Sequence, residues 1–247
     1  MRAFSTMLRV ESKLSLRDMN MPIFALAMPV AVMVVIGAIF GQQPAYEGAP
    51  YSFVAQSFAA VSTIAIIAGG VMGLPMLISE YRHRKVLKRY QVTPVSPALI
   101  LGVHLVIYSL YAIVSLGLVF LVAALGFGYR LPGSWLGFLG GFVLVMVAIF
   151  SIGLLVGGLA PNPKIAGVIA SLLYFPMLAL SGSTLPYEVM PPVMRAVADI
   201  LPATQGVKLL KATSLGLPTS DMLAPCLIMA GLAVVCGVLA VRFFRWE

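Results

Sequence analysis

Residues 134–160 read SWLGFLGGFVLVMVAIFSIGLLVGGLA, an apolar run without one charged side chain. A helix needs about 20 apolar residues to cross the hydrocarbon core of a bilayer. Inside lipid every backbone N–H and C=O must find an internal partner, which leaves helices or a closed barrel. A barrel would alternate apolar and polar residues in segments of ~10, so an unbroken run is the helical signature. Outward from this stretch, further runs of the same kind give six expected spans: 22–41, 54–79, 98–125, 134–160, 165–185 and 222–242. The second, third and fourth exceed the length a bilayer requires, so tilt or protrusion is expected. Pro75 and Pro176 lie inside runs and are expected to kink them.

Composition agrees. Of 247 residues 61% are hydrophobic and 10% charged, against about 25% charged in a soluble domain. A fold of this size cannot bury that much apolar surface within itself, so lipid is its solvent. The run beginning at Pro22 is too long for a signal-peptide core, and no small-x-small site follows it before the polar loop, so it reads as a retained span. Cys226 and Cys236 stand ten apart in one apolar run and read as small apolar filler. The net charge of +8 sits at the ends of the runs, which argues against a nucleic-acid partner.

Lysine and arginine set the orientation. One side collects Arg2, Arg9, Lys13, Arg17, Arg82, Arg84, Lys85, Lys88, Arg89, Lys164, Arg242 and Arg245. The other collects only Arg130, Arg195, Lys208 and Lys211. This bias places both termini and the loops 80–97 and 161–164 in the cytoplasm, and segment 186–220 outside.

Three non-spanning regions carry further signals. Residues 2–18 read as an amphipathic helix lying in the headgroup layer: Arg2, Arg9, Lys13 and Arg17 share one stripe, opposite Phe4, Met7, Leu8 and Leu14. Glu11 and Asp18 interrupt the apolar face, so shallow insertion is expected. Residues 80–97 are the most polar stretch; five basic residues alternate with Val86, Leu87 and Tyr90 on one helical face. Thr93-Pro94 and Ser96-Pro97 end that helix. Its composition is open between a docking element and a snorkelling basic anchor. Segment 186–221 holds five prolines and two short helical patterns, Val193 to Leu201 and Gln205 to Leu215, neither long enough to span. They are expected to tuck into the outer leaflet or cap a cavity.

The chemistry of an enzyme is missing from the sequence. All eight acidic residues lie in loops or at span ends, and His83 and His104 have no metal-ligand spacing. His104 is the single ionisable side chain well inside a span and reads as a packed histidine. No G-x-x-x-x-G-K-[ST] occurs, and no lysine follows a glycine. Ion-coupled transport usually needs midplane charge, so energy for any solute movement is expected from elsewhere. The pairs Gly69/Gly73, Gly137/Gly141 and Gly153/Gly157 permit close helix contact, mostly within one chain.

With these parts in order, the chain resembles the type-2 ATP-binding-cassette exporter permeases over nearly its whole length. One carrier is the sequence of an interfacial helix, six spans and a basic-aromatic tail, Val241-Arg242-Phe243-Phe244-Arg245-Trp246-Glu247. Another is the first cytoplasmic loop, with Glu80, Arg82, Leu87, Arg89 and Thr93-Pro94-Val95-Ser96. The last is the approach to the outer hairpin, with Ser181-Gly182, Pro186, Pro191-Pro192 and Leu201-Pro202. His83 replaces a common acidic residue and Lys85 a common glycine, which alters the charge offered to a partner.

The resemblance implies an all-α integral membrane fold in a single domain, 1–247, with an interfacial helix, six transmembrane helices, a coupling loop at 80–97 and an extracellular hairpin at 186–220. It implies a permease subunit in the cell (plasma or inner) membrane that joins a second permease, in a homo- or heterodimer, and two copies of a separate ATP-binding subunit. ATP and Mg would sit on that partner, and this chain would bind no cofactor or metal and have no catalytic residue. Glu80, Arg82, Leu87, Lys88, Arg89 and Tyr90 would couple to the ATPase. Gln56, Ser57, Ser62, Thr63, Tyr174, Phe175 and Ser181 are candidates for the solute path between permeases. No cation lies inside the spans, so a hydrophobic or amphipathic solute (drug, antibiotic, peptide or lipid) is expected. A polysaccharide or glycolipid, or a non-transporting anchor for an ATPase, are the alternatives.

Overall fold

The structure is a computed structural model that describes residues 2–46, 48–84, 97–182, 187 and 190–243. Nine helices are described: α1 (Arg2–Arg17), α2 (Ile23–Phe40), α3 (Phe53–His83), α4 (Leu99–Gly126), α5 (Trp135–Leu159), α6 (Pro163–Leu180), α7 (Pro192–Ile200), α8 (Pro202–Leu215) and α9 (Ser220–Phe243). Six of them, α2 to α6 and α9, are long and apolar enough to cross a membrane. The fold is the expected all-α membrane architecture, and the two short helices α7 and α8 precede the last span. Among the described residues extended pairing is limited to the bridge Pro44–Ser52.

Caps fix where the helices begin. Ser52 accepts from Ala55 N–H at the start of α3, Ser134 from Gly137 N–H at α5, and Asn162 from Ile165 N–H at α6. Each satisfies a donor that has no partner within its own helix. Helix α8 stops at Gly216, whose φ of 69° is a left-handed conformation that glycine adopts without a Cβ clash.

Proline leaves a local mark inside two spans. A π-helical turn over Ile23–Ala27 runs up to Pro29, and another over Ala68–Gly73 runs up to Pro75. Proline lacks an N–H and its ring crowds the preceding turn, and a widened turn accommodates both. Pro176 instead sits within an α-helix that continues to Leu180.

The second span is the hub. Every described side chain from Val54 to Val71 is buried, and α3 touches α2, α4, α5, α6 and α8. Lipid tails are as apolar as leucine, so close van der Waals packing, not escape from water, drives such contact. Small residues make it possible: a Cβ at Gly153 of α5 would overlap the Gly70 carbonyl oxygen of α3, and one at Gly157 would come within 2.9 Å of Ile78 Cβ. Both glycines of that pair serve contact within the chain.

The bundle has two distinguishable ends. At one, α1 packs on α4, and the ends of α3 and α5 meet. This basic end carries the N-terminal helix and the segment after His83. At the other, Gln42 Nε2 donates to Phe127 O at 2.7 Å and Gly133 N–H to Ser214 O at 2.9 Å. This hairpin end carries α7 and α8, sealed inward by Phe58, Phe120, Tyr129 and Phe138, with ring centroids 4.7 to 6.2 Å apart.

Candidate functional site

Helix α3 brings polar side chains to both ends. It runs to His83, so Glu80 and Arg82, expected in a loop, stand on its last turn. Glu80 pairs with Arg84 one turn on. Arg82 turns inward: its Nη1 donates to Gly158 O and Ala160 O at 2.8 Å and to Gly157 O at 3.2 Å. The last carbonyls of a helix lack intrahelical donors and carry partial negative charge. The guanidinium therefore satisfies the end of α5 and complements its dipole at once.

Tyr81 points the other way. Its hydroxyl lies 3.1 Å from His104 Nε2 on α4, and it also bonds the Glu11 carboxylate of α1. Glu11 Oε2 is 3.8 Å from the same histidine nitrogen. Burial raises the Glu11 carboxyl above its ordinary value, while the Tyr81 hydrogen bond works against that rise. One turn along α1, Ser15 Oγ meets Tyr111 Oη at 3.1 Å. Glu11 thus belongs to the face of α1 that packs on the bundle beside Phe4, Met7 and Leu8, whereas Leu14, grouped with them in sequence, is exposed. The acidic interruption of the apolar face is a contact point.

The remaining coupling candidates, Leu87, Lys88, Arg89 and Tyr90, lie outside the described residues, as do Thr93-Pro94-Val95-Ser96, Pro186 and the tail from Phe244. What is described is the platform from which segment 85–96 departs. Two consecutive residues, Tyr81 and Arg82, tie it to α1, α4 and α5.

At the hairpin end a cavity of about 230 Å3 lies between the start of α3, the end of α6, α8 and the start of α9. Three of the seven path candidates line it: Gln56, Ser57 and Ser181. Ser62 and Thr63 do not; both are enclosed and donate to their own helix, to Phe58 O and Ala60 O at 2.7 Å. Tyr174 is buried with its hydroxyl unpartnered among the described residues, while its neighbour Phe175 is exposed on the surface of α6.

Sequence reading missed the other cavity walls, because the side chains come from loops and short helices. Thr204 is 1% exposed and its Oγ1 has no hydrogen-bond partner among the described residues. Lys208 Nζ lies 2.7 Å from Asp199 Oδ1 and 4.5 Å above the Tyr187 ring. The Tyr187 hydroxyl donates to both Asp199 oxygens, at 2.8 and 2.9 Å. Burial alone would raise the Asp199 carboxyl, but the hydrogen bonds from Lys208 and Tyr187 and the nearby cations hold it below the usual range. Lys211 Nζ lies 6.0 Å from the Tyr51 ring centre. Asp221 completes the rim. Among the described residues no three His, Cys, Asp or Glu side chains converge as a metal site would require.

Comparison with known proteins bears on this arrangement. Residues 2–215 match the family described as ABC-2 type transporter. Nodulation protein J of Neorhizobium galegae is 31% identical over 101 residues, which cover 41% of this chain and 36% of that protein. The chain thus spans about a third of the length of that relative. The family's permease domain is a transmembrane component and not a catalytic one, and it normally works with an ATP-binding subunit. A helical six-span fold, matched from the first helix through the hairpin helices, identifies this chain as a member of the ABC-2 type transporter family.

Proposed function

We propose that this chain is the permease subunit of an ATP-driven exporter that moves a hydrophobic or amphipathic solute out of the cell. The observation that carries the reading is the bracing of Tyr81 and Arg82. A helix end tied to three other elements, directly ahead of a basic, partly apolar segment, suits delivery of force from a partner docked on that segment. The basic end faces the cytoplasm in the plasma or inner membrane. Two ATP-binding subunits, holding ATP and Mg, engage segment 80–97, and a second permease completes the translocation path.

Co-reconstitution tests this. Proteoliposomes containing the chain and its cognate ATP-binding subunit should show ATP-dependent movement of an amphipathic solute, whereas the chain alone should hydrolyse no ATP. A cysteine at position 88 labelled by an impermeant thiol reagent from outside intact cells would refute the orientation. ATP hydrolysis and binding by the pair without any solute movement would favour an anchoring role. The hydroxyl and amide groups of Gln56, Ser57, Ser181 and Thr204, set in the largely apolar cavity at the hairpin end, favour as a second reading a solute that carries sugars, such as a glycolipid or polysaccharide.

A further inference from the structure

The cavity at the hairpin end is small. Pockets that enclose a whole drug-sized ligand run from about 300 to 1,000 Å3, and this one has about 230 Å3. It has room for one part of an amphipathic solute. Its walls say which part. Gln56, Ser57, Ser181 and Thr204 supply hydroxyls and an amide, which offer both donors and acceptors. Most of the remaining wall is apolar, with Ala60, Val207, Ala212 and Leu217.

Lys208, Lys211 and Arg195 face Asp199 and Asp221 around this cavity, one positive charge in excess. Lys208 is already held by Asp199 at 2.7 Å, and Lys211 shares the rim with Asp221. An anionic headgroup entering here would leave water to meet cations that already have partners, which is unfavourable. A neutral polyol needs donors and acceptors on several sides and an apolar surface for its C–H face, and this cavity has them. Thr204 sharpens the point. A buried hydroxyl without a partner is destabilising, and a ligand hydroxyl or a water in the cavity would remove that cost.

We propose that this cavity is a subsite for a neutral, hydroxylated headgroup of sugar type, with Thr204 and Gln56 as its main hydrogen-bonding contacts. The proposal rests on the exporter reading for its biological role, but the binding it asserts can be measured without transport. The probe is octyl glucoside, titrated into the full chain in nanodiscs of zwitterionic lipid and read by saturation transfer to the sugar ring protons. Octyl phosphate and octanol serve as headgroup controls.

Saturable transfer to the glucoside ring is expected, at least tenfold weaker for octyl phosphate, and reduced at least fivefold in Thr204→Val and in Gln56→Leu. Thr204→Ser should restore binding, which separates a lost contact from a misfolded chain. Tighter binding of octyl phosphate, or equal glucoside transfer in the wild type and both variants, would overturn the proposal. So would transfer to the octyl chain alone. Failure of ATP-driven transport alongside intact glucoside binding would count against the exporter reading and leave the subsite standing.

Discussion

The two ends of α3 put polar side chains to opposite uses. At the basic end Tyr81 and Arg82 spend their hydrogen bonds on other helices, and Arg82 alone reaches two carbonyls of α5 and that of Ala160 just beyond it. At the hairpin end Gln56 and Ser57 face a cavity, and Thr204 across it has an unpartnered hydroxyl. Polar contacts spent between helices brace one end of α3, whereas polar side chains gathered around a cavity leave a place for something to bind. Between them the helix is enclosed and meets α5 through Gly70 and Gly153 with no room for a side chain. A push at one end therefore has a stiff path to the other.

Removing the joint gives the largest effect. Arg82→Leu leaves the carbonyls of Gly157, Gly158 and Ala160 without their cation. A hydrogen bond to a charged group is worth about 1.5–3 kcal/mol, so the loss should be about 2–4 kcal/mol, seen as a lower melting temperature in detergent. Arg82→Lys should recover only part of it, because an ammonium is a point charge without the guanidinium's spread of donors. Arg82→Leu melting like the wild type would remove the contrast between the ends.

The carboxylates near each end should respond to pH in opposite directions. Glu11 has a raised pKa, so the native state holds its proton more tightly than the unfolded chain. Its contribution is fully present below the ordinary value of 4.5 and is lost as pH rises through the folded value. Glu11→Gln should therefore melt higher than the wild type at neutral pH, with the gap closing as pH falls toward 4.5. Melting curves across pH check this, and a variant that melts lower at neutral pH would contradict it.

Asp199 gives the smallest effect, of opposite sign. Its lowered pKa means the contribution is present above the ordinary value of 3.8 and lost as pH falls through the folded value. Asp199→Asn should melt lower than the wild type at neutral pH, with the gap closing in acid. The pair is well exposed, so solvent screening keeps the difference below about 1 kcal/mol.

The same contrast explains what could be read in the sequence. The spans were legible because each is a long apolar run, and no tertiary detail changes that requirement. The end of α3 was not: the charges at 80–84 look like a loop, yet Glu80 and Arg84 pair one helical turn apart and Arg82 caps a neighbouring helix. Its partners are backbone carbonyls some 75 residues away, which no side-chain pattern announces. Glu11 left a trace as the residue that breaks an apolar face, and His104 as the ionisable residue inside a span, but nothing in sequence joins them through Tyr81. At the hairpin end, Gln56, Ser57 and Ser181 stood out as polar residues in apolar runs. Thr204, Lys208 and Tyr187 did not, because polar residues in a short proline-bounded segment are ordinary until the fold gathers them around a cavity.

In the proposed mechanism, force enters this permease through segment 80–97. Leu87→Asp tests it most directly, in the chain co-purified with its cognate ATP-binding subunit and assayed for substrate-stimulated ATP hydrolysis. A charge placed in an apolar docking contact is strongly unfavourable, and a few well-packed residues dominate most interfaces. The substitution should abolish both co-purification and stimulation while membrane insertion persists, since the described spans on either side end at His83 and begin at Leu99. Co-purification and stimulated hydrolysis at wild-type levels would show that the segment is only a basic anchor and that the partner engages the permease elsewhere.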